Sequence, residues 1–204
     1  VTRPKAFEVC GSFAIALLLT CLPWMLRNYY QLGAPVLRTN LGVTIYASNN
    51  DCAEPSLIMQ LRSGCQQNHY PSTSPSEAQL LKKLGEPGYN TDRMRAAIRW
   101  IRGNPGRFIH LTAARSIGFW FPEPSGGRYS YSLWLITPLF LAGLIMMLRH
   151  RVPVAWFVLI VCCVYPSINY IVVSDTRYRY PILWLSLLPG GYCIKEAFRW
   201  SPAL

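Results

Sequence analysis

Three arginines stand where apolar chain gives way to polar chain. Arg27 closes Pro23-Trp24-Met25-Leu26, and Arg177 and Arg179 lie within Asp175-Thr176-Arg177-Tyr178-Arg179-Tyr180-Pro181. A guanidinium stays charged and offers parallel donors that match phosphate oxygens, so these three are the residues expected to hold an anionic lipid phosphate. Ordinary anchoring at the headgroups explains the same placement. Asn40, Asn49 and Asn50 carry amides able to bind sugar hydroxyls, and Tyr178 has a ring suited to a sugar or lipid groove. Asparagine is equally at home in turns, where its side chain bonds the local backbone, and that structural role is the favoured one. Of seven cysteines, Cys10, Cys21, Cys162, Cys163 and Cys193 sit in apolar runs, whereas Cys52 and Cys65 sit in a polar stretch. Those two are expected to pair if the stretch faces an oxidising compartment. No CxxC or HExxH spacing occurs, and His69, His110 and His150 are too dispersed to suggest a metal site.

The elements that must position these residues are set by hydropathy. Hydrophobic residues make up 51% of the chain and charged residues 14%, against about 25% charged in soluble proteins. Residues 9–26, 129–148, 152–173 and 180–194 contain no Asp, Glu, Lys or Arg. A helix needs about 20 such residues to cross hydrocarbon about 30 Å thick, so the first three runs are expected to span a bilayer. The fourth is shorter and contains Pro181, Pro189, Gly190 and Gly191, so it is expected as a short spanning or re-entrant helix. The first run ends in Pro-Trp without a small-residue cleavage site and reads as a retained helix, 1–26, rather than a signal peptide.

Charge orients the spans. Arg3 and Lys5, Arg149 and Arg151, and Lys195 and Arg199 flank the runs on one side, which is therefore expected to be cytoplasmic, with 195–204 as a cytoplasmic tail. Residues 27–128 then form an extracytoplasmic loop domain, whose own basic excess does not count against the assignment because long loops translocate largely regardless of charge. Arg177 and Arg179 fall on that same outer side. A formal net charge of +11 raises nucleic acid as a partner. The basic residues are scattered and no recognition motif accompanies them, so no nucleic acid is expected and anionic membrane lipid is the partner that fits.

Within 27–128, Ser74-Pro75-Ser76-Glu77 predicts a helix start with Ser74 as cap and Glu77 completing a capping box. Gly85 should end that helix. A second is predicted from near Asn90 or Thr91 to Gly103, with Met94, Ala97, Ile98 and Ile101 on one face. Asn104-Pro105 should start a third, carrying Phe108, Leu111 and Phe119 with Arg107, His110 and Arg115 as its polar members. Its composition suits the headgroup level, with its basic residues toward phosphates, and packing only against its two neighbouring helices is the equally open alternative.

The polar motifs resemble those of bacterial members of glycosyltransferase family 39 and related polyprenyl-phosphate-sugar transferases. Pro23-Trp24-Met25-Leu26-Arg27-Asn28-Tyr29, Thr39-Asn40-Leu41-Gly42 and Ser48-Asn49-Asn50 are similar to that family's PWxxRNY, TNxG and GNN elements. Trp100-Ile101-Arg102-Gly103-Asn104-Pro105-Gly106-Arg107-Phe108 resembles WIRxNPGRF, and the segment 175–181 resembles DPRYRLP. Ala47-Ser48 stands where the pattern more often has Gly before the two Asn. The resemblance implies a mostly α, polytopic transmembrane protein with a small helical extracytoplasmic domain, the C-terminal part of a GT-C-type fold in the bacterial inner membrane. It implies a lipid-linked sugar, polyprenyl-phosphate sugar, as donor and an envelope lipid, glycan or protein as acceptor. In that family the catalytic acid follows the first spanning helix of the whole protein, so no catalytic residue is expected in this chain. Its start at Val1 and basic entry into a helix lead to the expectation of a missing N-terminal part of the same protein. The competing expectation is a non-catalytic transporter or envelope assembly scaffold. Against transport, the spans carry only mild polar residues such as Ser167 and Asn169, which give a solute little to hold.

Overall fold

The computed structural model describes residues 3–123 and 128–200. Residues 201–204 of the expected tail lie outside the described residues, as do the side chains of Arg3 and Tyr129. The described chain is mostly helical: α1 Arg3–Leu32, α2 Leu41–Ser48, α3 Leu57–Arg62, α4 Cys65–His69, α5 Pro75–Gly103, α6 Pro105–Trp120, α7 Arg128–Arg149, α8 Val154–Val164, α9 Ser167–Ile171 and α10 Tyr180–Trp200, with a 3-10 turn over Thr176–Arg179. Among the described residues, three stretches are long and apolar enough to cross a membrane: Phe7–Leu32, Ser130–Arg149 and Val154–Ile171. The chain divides into two compact units, one from the described residues up to Tyr46 with Asn68–Arg99, the other from Ala47–Gln67 with Trp100 onward. The polar stretch 27–128 is thus shared between both units.

In the first unit α1 runs past the predicted boundary at residue 26 and stops at Gly33, whose φ of 71° reverses the chain. Asn28 closes the reversal by donating from Nδ2 to Val36 O at 2.7 Å, and Trp24 Nε1 donates to Leu37 O at 3.1 Å. The most apolar 18-residue window of α1 is not buried by protein at all. Lipid is the solvent such a surface requires.

α5 is bent at Gly85, at φ 68° and ψ 167°, the left-handed region that favours glycine. The helix resumes at once, several residues before the predicted start near Asn90. Pro87 permits this because a proline in a first turn lacks only an N–H that would have had no helical acceptor. The predicted capping box gives way to a tertiary use of Glu77. Its carboxylate accepts from Tyr89 Oη at 2.6 Å and from Arg93 Nη1 at 3.1 Å. Burial and the Glu77 contact together push the Tyr89 hydroxyl well above its usual range. Arg93 also lies 4.6 Å over the Tyr46 ring. Of the predicted apolar face, Ala97 is buried but Ile98 is exposed.

In the second unit α7, α8 and α10 share a core of Phe140, Leu144, Met147, Ala155, Val158, Cys162 and Leu185. α10 is one continuous helix through Pro189 and Gly190-Gly191. It lies so close to α7 that a Cβ at Gly143 would collide with the Pro189 carbonyl, a small-residue approach typical of helix pairs in lipid. α6 packs on α9, with Phe119 edge-on to Tyr170 at 5.9 Å, and Trp120 stacks on Phe140 at 5.5 Å.

Candidate functional site

The second unit is tied together by one buried arginine. Leu111, Arg115 and Phe119 follow one another at four-residue spacing along α6, and all three are buried, Arg115 to 0% exposure. Its Nη1 donates to Ile171 O at 2.7 Å and to Asn49 Oδ1 at 3.2 Å, and its Nη2 donates to Ser48 O. Asn49 Nδ2 also donates to Ile171 O, at 3.1 Å, and Ser48 Oγ accepts from the Val173 N–H at 2.9 Å. Burial pushes the Arg115 guanidinium down to about 10, so it remains charged at neutral pH while it gathers these oxygens. Arg115 was expected among the phosphate-facing residues of α6. It points into the protein because the side chains one turn away on either side are the apolar anchors of the helix.

This junction fixes where residues 171–174 run, and two walls grow from it. Leu57 N–H donates to Ser174 O at 2.9 Å, and Ser174 N–H to Pro55 O at 3.0 Å, pairing Ser56 with Ser174 in an isolated parallel bridge. Asp175 then caps the 3-10 turn, accepting from Arg177 N–H at 3.0 Å. Between the bridge, the turn and the C-terminal half of α6 lies an open groove of about 900 Å³. Leu57, Ile58, Ile117, Phe121 and Pro122 give it an apolar lining, and Glu123, Asp175 and Arg177 its charges.

Arg177 is the one arginine of the expected trio that lines this groove. Its side chain is 63% exposed and pairs through Nε with Asp175 Oδ2 at 2.9 Å. Arg179 is instead 1% exposed. Its Nη1 donates to Trp120 O at 2.8 Å and to Thr137 Oγ1 at 2.7 Å, with the guanidinium 5.1 Å over the Trp120 ring. The alternation of Arg177 and Arg179 about the short turn sends one outward and the other into the helix packing. Arg27 belongs to the other unit, exposed, with its guanidinium 4.8 Å from the Trp24 ring and Nη1 donating to Asn28 Oδ1 at 3.2 Å.

The remaining sequence candidates have structural partners. Asn40 is exposed, and its backbone carbonyl accepts from Thr44 N–H at 2.9 Å to open α2. Asn49 belongs to the Arg115 junction. Asn50 donates to Ala47 O at 3.1 Å and accepts from Cys52 N–H at 3.1 Å, while its Oδ1 lies 3.1 and 3.2 Å from the sulfurs of Cys52 and Cys65. Cys52 and Cys65 form a disulfide with Cα atoms 5.6 Å apart. Tyr178 accepts at its carbonyl from Tyr165 Oη at 3.0 Å. In the 100–108 element, Trp100 Nε1 donates to Asp51 Oδ1 at 2.6 Å and Arg107 Nη2 to Ala53 O at 3.2 Å.

The wall 55–59 was not singled out from the sequence, because nothing local marks a segment whose only partner in a ladder is 118 residues away. Arg115 did carry a signal: its spacing between Leu111 and Phe119. Compared with protein families, with curated proteins and with solved structures, the chain matches none.

Proposed function

We propose that this chain is the membrane-embedded C-terminal portion of a GT-C-type transferase that moves a sugar from a polyprenyl-phosphate donor to an envelope acceptor. The groove of the second unit receives the phosphate end of the donor. The observation that carries this reading is the meeting of an apolar lining with the exposed Arg177 guanidinium in one open groove. A polyprenyl phosphate has the complementary chemistry, hydrocarbon running into a single anionic head. The Arg177 Nε is engaged by Asp175, and the two Nη groups of a guanidinium supply the kind of donor fork that suits phosphate oxygens. As the glycosidic bond breaks, charge builds on the leaving phosphate, and a guanidinium already in place stabilises it without reorganisation. Glu123, in the same lining, suits the hydroxyl groups of the sugar rather than the phosphate.

Two features support the placement of this site at a bacterial inner membrane on its periplasmic side. The Cys52–Cys65 disulfide beside the groove suits an oxidising compartment, and the three apolar helices suit a multi-pass protein. The chemistry of transfer itself, in the family this sequence resembles, depends on an acid upstream of the residues here.

Binding of undecaprenyl phosphate to the chain in lipid nanodiscs tests the reading. Arg177→Ala should weaken binding about tenfold, the worth of a charge-assisted hydrogen bond, with partial recovery in Arg177→Lys. Ile117→Trp, filling the groove from an exposed position, should weaken it further. Equal affinity in all four proteins would remove the groove as the donor site.

A further inference from the structure

One wall of the groove is enclosed by a covalent bond. The loop between Cys52 and Cys65 carries Pro55, Ser56, Leu57, Ile58 and Met59, and all five line the groove. Within the loop α3 has six residues, too few for a helix to hold its own shape in water. Its position depends on clamps: the bridge from Pro55 and Leu57 to Ser174, and Gln60 Nε2 donating to Ala47 O. The entrance to the loop is anchored independently. Ser48 and Asn49 are held by Arg115, and Asn50 bonds Ala47 O and Cys52 N–H. The exit at Cys65 is joined to that anchored turn through the disulfide.

Building on the lipid-phosphate reading of the groove, we propose that the Cys52–Cys65 disulfide is a redox-sensitive latch on this wall. Oxidised, it holds the 55–59 segment beside Ser174 and Arg177 and keeps the groove shaped for its ligand. Reduced, the Cys65 end loses its covalent tie to the anchored turn, the 55–59 segment rests on the Ser174 bridge and the Gln60–Ala47 bond, and the wall opens more readily. The reductant is a dithiol. One of its thiolates attacks Sγ of Cys52, the partly exposed partner, and the sulfur–sulfur bond breaks with Cys65 leaving as a thiolate that takes up a proton. The second thiol of the reductant then displaces Cys52, which is protonated in turn, and the reductant leaves as its own cyclic disulfide. Cys65, 1% exposed, is shielded from direct attack.

The latch makes a claim about local opening that does not depend on any ligand. In nanodiscs, treatment of the full chain with dithiothreitol followed by alkylation should accelerate amide exchange of residues 56–59 and of Ser174 about tenfold, with the amides of α7 unchanged. Undecaprenyl phosphate affinity should fall by a similar factor. A Cys52→Ser, Cys65→Ser double variant should reproduce both effects without reductant, and reduction of the folded wild type decides the matter where that variant fails to fold. Unchanged exchange after verified reduction would overturn the latch, as would acceleration spread equally over α7. Failure of the oxidised protein to bind the lipid, with exchange still responding at the wall, would instead remove the donor-site reading and leave the latch standing.

Discussion

Arg115 shows how a single residue can decide what the rest of a site looks like. Among the described residues it has no carboxylate partner, and it is held by two backbone carbonyls and one amide oxygen from segments far apart in sequence. Replacing it by alanine takes the guanidinium donors away from all three oxygens, and a buried group that loses its partner costs about 1–3 kcal/mol. Arg115→Ala should therefore destabilise the second unit by about 3 kcal/mol or more, read as thermal unfolding in detergent micelles. Arg115→Lys should fare little better, because one ammonium on a flexible stem does not reproduce the planar fork. A loss under about 1 kcal/mol in both would show that the oxygens find other donors. Its pH behaviour has a definite sign. The folded value, about 10, lies below that of an ordinary arginine, so the folded state releases the proton first. The burial penalty is constant at neutral pH and is relieved only as pH rises past about 10. The residue was readable as an arginine of α6 but not as a core residue, since composition says interface while its spacing between Leu111 and Phe119 says core. Arg179 carries the same lesson: only the packing of Trp120 and Thr137 distinguishes it from Arg177 two residues earlier.

At the scale of elements, the apolar runs were legible and their edges were not. The stretch 129–148 became α7, and 152–173 became α8 and α9 with Pro166 between them. Uncharged length is a property of the chain, and it survives whatever the segment packs against. The run 180–194 was harder, because Pro189 and two glycines read as breakers in isolation. Inside a close helix pair the same residues serve approach rather than interruption, as Gly143 against Pro189 shows. Gly143→Ala should push α7 and α10 apart at a cost of about 1–3 kcal/mol, visible as a lowered unfolding midpoint, whereas Gly191→Ala, with open space around its Cβ, should be nearly silent. Equal effects at both positions would contradict the close approach. The bend in α5 makes a smaller claim: Gly85→Ala must hold an alanine at positive φ and should cost about 1–2 kcal/mol.

For the whole molecule, the physical premise is that lipid covers what protein leaves bare. α1 presents Phe7, Phe13, Leu18 and Leu19 to its surroundings, a surface that water does not tolerate. The chain should therefore remain with membranes through alkaline carbonate extraction and lose monodispersity when detergent is removed. Recovery as a monodisperse species in plain buffer would contradict the membrane reading. The Cys52–Cys65 bond adds to stability on the same scale, and closing a loop of this size contributes about 3 kcal/mol by chain entropy. The polar motifs that suggested a transferase largely serve this architecture. Asn28, Asn49, Asn50, Asp51 and Arg179 are occupied in holding turns and helices together, whereas the Arg177 side chain, paired with Asp175, is 63% exposed. That division was invisible in the sequence because a turn-closing and a ligand-binding polar residue look alike until their partners are known.

The proposed seat of a lipid-linked phosphate is the groove lined by Arg177. Photo-crosslinking of the chain in nanodiscs with a diazirine-bearing polyprenyl phosphate, followed by peptide mapping, measures this directly. Labelling should concentrate on residues 55–59 and 114–122 and should fall sharply in Arg177→Ala and Ile117→Trp. Labelling confined to α1 and the outer faces of α7 and α8, and indifferent to both substitutions, would mean that the lipid is only solvent and the groove serves something else.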